Sequence, residues 1–122
     1  MNADEAEFLS ELASLRHRQR TDCEKLIRSY FPPRAHVRAI WIAYQISGMY
    51  PGDTSAVGEN LWGLFHIDPL AVGLGETEGW LLLNPIRNVA AAVDLWNRFG
   101  WSVFGANILK PPPPFDDEEV PF

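Results

Sequence analysis

Two side chains in the middle of the chain bring titratable chemistry next to apolar residues. They are Glu59, in the polar stretch PGDTSAVGEN (residues 51–60), and His66, in LWGLFHID (residues 61–68). A carboxyl group with a raised pKa can protonate a leaving oxygen, and an imidazole can move protons near neutral pH. Paired acid–base work asks for more: two carboxyl groups at a fixed separation around the reacting bond, one of them kept protonated. Nothing in the spacing of Glu59, Asp68, Glu76 and Glu78 fixes such a pair. Glu59 also reads as a solvated loop residue, and Glu76 and Glu78 lie among glycines. Asp68, directly before Pro69, reads as a turn or cap residue. A lone histidine beside an apolar run is more often a structural hydrogen-bonder than a catalyst.

Other chemistry is sparser. His17, His36 and His66 are far apart and lack ligand spacing, so neither a metal site nor a cofactor is expected. Cys23 is the single cysteine and cannot close an internal disulfide; it reads as a small residue on a helix. Five tryptophans could stack on sugars, but Trp41 and Trp96 fall on helical stripes and read as core. Trp62 and Phe65 are the best candidates for lining a cleft, beside a core reading for each. Arg16, Arg18 and Arg20 read as a solvated helix end or as a contact for an acidic partner. The tail PPPPFDDEEVPF (residues 111–122) is the strongest binding motif. Its prolines, Pro111, Pro112, Pro113 and Pro114, are pre-extended and lose little entropy on docking, with Phe115 and Phe122 as anchors. The same composition also describes a solubilising tail.

Those residues need elements to position them. With 122 residues the chain suits one domain with a modest core, and 47% hydrophobic against 21% charged residues describes a folded chain. The net charge of −6 argues against a general nucleic-acid binder, whose footprint is basic. Half of it is local: Lys110 stands against Asp116, Asp117, Glu118 and Glu119. The opening MNADEAEF lacks the basic-then-apolar pattern of a signal peptide, and no apolar run is long enough to span a bilayer. The expectation is therefore cytoplasmic synthesis, no membrane partner, and retention, release by lysis or incorporation into a particle.

Phe8, Leu9, Leu12 and Leu15 recur at helical spacing and predict a first helix over 3–20, acidic at its start and basic at its end. TDCE (residues 21–24) reads as a capping box that opens a second helix, with Leu26, Ile27 and Tyr30 inward and FPP as its stop. Ala35 to Ser47 is the most apolar helix and is expected to be buried all round, ending at Gly48. Asn84 and Pro85 start the last long helix, with Val89, Val93 and Trp96 as its core stripe and Gly100 as its close. Residues 71–80 read as a loop, LWGLFHID as a strand or buried turn, and GWSVFGA as one further helical turn.

Four pieces in order carry a resemblance: LIRSYFPP, AIWIAYQISGMYP, ENLWGLFHID and NPIRNVAAAVDLWNRFGWSVFGA. Over residues 26–106 they resemble the lysozyme-like transglycosylase domains of actinobacterial secreted proteins and phage tails. The resemblance implies a peptidoglycan cleft formed by Gln45, Ile46 and Ser47 with Trp62, Gly63, Phe65 and His66. It also places the family's catalytic glutamate directly before the Ser-Gly pair, where this chain has Ile46. An aliphatic side chain cannot donate a proton, and the amide of Gln45 is no substitute near neutral pH. His66 occupies the position of the family's cleft glutamine, so Glu59 and His66 are the only candidates for a rescued activity.

The expected fold is mainly α: a lysozyme-like helical domain with at most a small β element, an N-terminal helix, and an extended Pro-rich acidic C-terminal tail. The expected divisions are 1–22, 23–109 and 110–122. The expected role is a non-catalytic structural or binding module, a phage tail component held by other structural subunits of a virion. The alternatives are an active peptidoglycan muramidase or lytic transglycosylase, and a module that holds peptidoglycan without cutting it.

Overall fold

The structure, a computed structural model, describes residues 3–54 and 59–105. The tail, with Pro111 to Pro114, Phe115 and Phe122, lies outside the described residues. Among the described residues three helices make the fold: α1 (Ala3–Tyr30), α2 (His36–Ser47) and α3 (Pro85–Phe99). Short 3-10 turns at Pro33–Ala35, Pro69–Val72, Gly79–Leu83 and Trp101–Phe104 connect or extend them. The molecule is mainly α, and the β content of the described residues is two isolated antiparallel bridges, Thr54 with Trp62 and Trp62 with Ile67.

The two expected N-terminal helices are one. α1 runs unbroken for 28 residues through the TDCE segment. No glycine or proline interrupts it, and the Thr21 hydroxyl donates back to the His17 carbonyl at 3.0 Å instead of capping a new helix. Glu24 is used elsewhere: it accepts a 2.7 Å hydrogen bond from the Tyr44 hydroxyl, which ties α1 to α2. The expected division at residue 22 therefore falls inside a helix. It coincides with a change in burial, because every residue from Ala3 to Arg20 is exposed and Cys23 is the first buried one.

From Cys23 onward α1 contributes Cys23 and Ile27 to the core, while Tyr30 is exposed. α2 is not buried all round as expected. Its buried residues are Arg38, Ala39, Ile42 and Ala43, whereas Ile40, Trp41 and Tyr44 are half-buried and Gln45 is exposed. Small Ala39 and Ala43 let neighbouring elements approach, and the bulky residues occupy the flanks. Gly48, with φ 66°, ends the helix in the left-handed conformation and returns its amide to Tyr44 and Ala43 carbonyls.

α3 begins as its sequence predicts. The Asn84 side chain accepts from the Ile86 and Arg87 amides, and Pro85 takes the first helical position. Its inner face is Asn88, Val89, Ala92 and Leu95, with Val93 and Trp96 half-buried beside it. Beyond Gly100 the chain folds back so that Trp101 and Phe104 close an aromatic cluster with Phe31, Phe65 and Trp96. Ring centroids within it lie 5.1–6.3 Å apart. Tilted pairs of this kind each add about 0.5–1.5 kcal/mol beyond the area they bury. This cluster locks the two ends of the body together.

Candidate functional site

The residues expected to form a cleft converge on one junction, where the end of α2 meets the turn 62–67. Trp62 and Ile67 exchange backbone hydrogen bonds of 3.1 and 3.0 Å, which closes a four-residue loop over Gly63, Leu64, Phe65 and His66. Ser47 reaches across to it, its Oγ lying 2.8 Å from the Leu64 carbonyl and 3.0 Å from that of Ala43. The Gly63 amide donates to the Asp53 carbonyl at 2.7 Å. The segment from Ser47 to Thr54 is thereby stitched to the loop along its length.

The loop is held from beneath by Asn88. This residue of α3 is fully buried, and every hydrogen-bonding group of its amide that the site uses is paired. Its Nδ2 donates to the carbonyls of Trp62 (2.7 Å) and Leu82 (2.9 Å), and its Oδ1 accepts from the Phe65 amide at 2.9 Å. The loop could not sit so close with any other residue at position 63. Gly63 has φ 80°, and a Cβ there would run into the Asn88 amide and the Leu82 carbonyl. Gly79 is placed in the same way against the Trp62 indole.

Within this frame the expected site residues separate. Ile46 is half-buried and packs against the core, so the place of the resembled family's acid is filled by a hydrocarbon contact. Gln45, the residue before it in α2, is exposed. Gly63 and Phe65 are buried, and Phe65 is 1% exposed between the Phe31 and Phe104 rings. Phe65 therefore lines no cleft: it points inward because the loop turns its side chain toward the aromatic cluster. Trp62 keeps part of its surface, with its indole N–H donating to the Asn60 side chain at 2.6 Å. Glu59 is exposed and stands at the edge of the described residues. Trp80, which sequence left without a role, is exposed.

His66 is the one titratable member with a defined partner. Its Nε2 lies 2.6 Å from Asp53 Oδ2, and both side chains are partly shielded from solvent. The backbone of His66 has φ 47°, a left-handed conformation uncommon for residues other than glycine but one that histidine adopts more readily than most. The loop closure and the Asp53 bond fit this conformation. In sequence Asp53 reads as one more turn former in PGDT, and Asn88 as one more polar helix residue. An asparagine between apolar positions on an inward helical face is the only signal that could have marked Asn88.

A second feature lies on the other side of Ser47. A groove of about 1410 Å³ runs between the α1 stretch Leu12–Leu26 and the edge formed by Ser47–Gly52, Leu83 and Pro85. Arg16, Arg18 and Arg20 line it together with Leu12, Leu15 and the exposed Tyr50. The groove floor includes Cys23, which is 4% exposed. Burial, with Asp22 nearby, pushes its thiol up from 9.0 to about 11. That thiol is protonated at neutral pH and is a poor nucleophile. Burial and the bond to Glu24 also raise the Tyr44 hydroxyl above its ordinary value.

Among the described residues no group of three or more His, Cys, Asp or Glu is placed to hold a metal ion. Nor is any described helix long and apolar enough to cross a membrane. No protein-family model matches the chain, and neither a curated protein nor a solved structure matches it.

Proposed function

We propose that this chain is a non-catalytic helical module that works by holding partners in an assembly. The observation that carries the reading is at Ile46. Where the resembled lysozyme-like domains keep a proton donor, this chain has a side chain packed against its core. The neighbouring loop 62–67 spends its polar groups on itself, on Asn88 and on Asp53, which suits a structural joint. The N-terminal eighteen residues of α1 are exposed and carry an apolar stripe, which suits a contact made outside the body. A place in a phage tail, among other structural subunits of a virion, is the finer form of this proposal and follows from the resemblance alone.

A second reading has one observation in its favour. An imidazole bonded to a carboxylate, as His66 is to Asp53, is the arrangement that orients a general base. In that reading the chain cleaves peptidoglycan with His66 or Glu59. A cell-wall turbidity assay separates the two. The module reading expects wild-type protein to clear a wall suspension no faster than buffer. Clearing that Glu59→Gln or His66→Asn abolishes would establish the enzyme instead. Retention of the protein on insoluble peptidoglycan without clearing would identify the glycan itself as a held partner.

A further inference from the structure

The exposed half of α1 is segregated twice over. Across the helix, Phe8, Leu9, Leu12 and Leu15 form one apolar face and are 63%, 48%, 37% and 55% exposed. Along the helix, residues 3–11 carry Asp4, Glu5, Glu7 and Glu11 and no base, whereas residues 16–20 carry Arg16, Arg18 and Arg20 and no acid. Leu12 lies midway between Asp4 and Arg20. A helix that presents four large apolar residues to water within about two turns needs a partner to bury them.

We infer that the partner is the α1 helix of a second copy of this chain, packed antiparallel about a two-fold axis close to Leu12. Charge decides both the partner and its direction. A two-fold axis there sets the acidic segment of each copy beside the basic segment of the other, so one surface is complementary to itself. Parallel pairing would set four carboxylates against four and three guanidinium groups against three. The apolar residues sit where the axis needs them, with Leu12 at the axis, Leu9 and Leu15 three residues to either side, and Phe8 just beyond Leu9. The groove adds a wall, because Leu12, Leu15 and Arg16 line it opposite Tyr50 and Pro85. A helix laid on α1 along its apolar face thus meets the partner's body as well as its helix. The contact involves none of Ile46, Glu59 or His66, so it stands or falls separately from the absence of catalysis.

Sedimentation equilibrium of the full chain tests this. The wild type is expected to be a dimer at about 0.1 mM and above, and to dissociate on dilution. Leu12→Glu enters each interface twice, once from each copy, and is expected to weaken the dimer by at least about 100-fold. Because Leu12 is exposed in the monomer, the circular dichroism of the body should survive the change. Direction is read by cross-linking an equimolar mixture of Glu5→Cys and Gln19→Cys chains, both carrying Cys23→Ala to remove the native thiol, with a short bismaleimide. The mixed dimer should form, and neither variant should link to itself. A monomeric wild type, a dimer indifferent to Leu12→Glu, or self-linking of either cysteine variant would overturn the inference. So would a dimer dissolved by Phe115→Ala with Phe122→Ala, which would make the acidic tail the occupant of this face.

Discussion

Replacing Asn88 by leucine keeps the size and branching of the side chain and removes every polar group. Three backbone groups are affected. The Phe65 amide loses its 2.9 Å acceptor and is left buried. The Leu82 carbonyl loses a 2.9 Å donor, and the Trp62 carbonyl loses one at 2.7 Å but keeps the Ile67 amide. A buried group left without its partner costs about 1–3 kcal/mol, and the Trp62 carbonyl less, so the sum is about 3–5 kcal/mol. For a chain of this length the unfolding entropy near the midpoint is about 0.26 kcal/mol per kelvin, which converts that loss into a fall in Tm of about 12–19 °C. Thermal unfolding followed by far-UV circular dichroism measures it, with Asn84→Ala as the internal comparison. Loss of that exposed cap should cost only about 1 kcal/mol, or about 4 °C. A fall for Asn88→Leu no larger than that of Asn84→Ala would refute the claim that Asn88 holds the loop 62–67 in place.

Further outcomes follow from the same geometry. Gly63→Ala should destabilise by more than Gly73→Ala in guanidinium melts. Both positions have φ 80°, but only at Gly63 does the added methyl meet buried atoms. Gly79→Ala should displace the Trp62 indole and shift the tryptophan fluorescence emission. Cys23, raised from 9.0 to about 11, should react with iodoacetamide at pH 8 about 100-fold more slowly than an ordinary thiol. Its proton is held more tightly in the folded state, so its contribution is complete below pH 9 and is lost as pH rises through about 11. That amounts to about 2–3 kcal/mol of stability, and Cys23→Ala should flatten this part of the pH profile.

The helices were largely legible because their ends carry local chemistry. Asn84 with Pro85 opens α3, and Gly48 and Gly100 close their helices at positive φ, where glycine is favoured. Asp68 caps its short turn through the Leu70 amide, as a residue before proline suggests. The TDCE segment misled because a capping box is also an ordinary run of helical residues. Whether Thr21 caps or back-bonds depends on what the preceding residues do, and here they stay helical. The site was less legible. The positions of Asp53, Asn88 and Phe65 are set largely by contacts 13 to 39 residues away in sequence, which no local pattern announces. Phe65 shows the consequence: an aromatic in a glycine-bounded turn reads as well for a cleft as for a core, and only the rings of Phe31 and Phe104 decide it.

Release of soluble muropeptides from purified peptidoglycan, followed by mass spectrometry, is the most direct test of the reading that Ile46 has replaced chemistry with packing. Wild-type protein is expected to release none above a buffer control over prolonged incubation. Release by the wild type that disappears in Glu59→Gln or His66→Asn would contradict it.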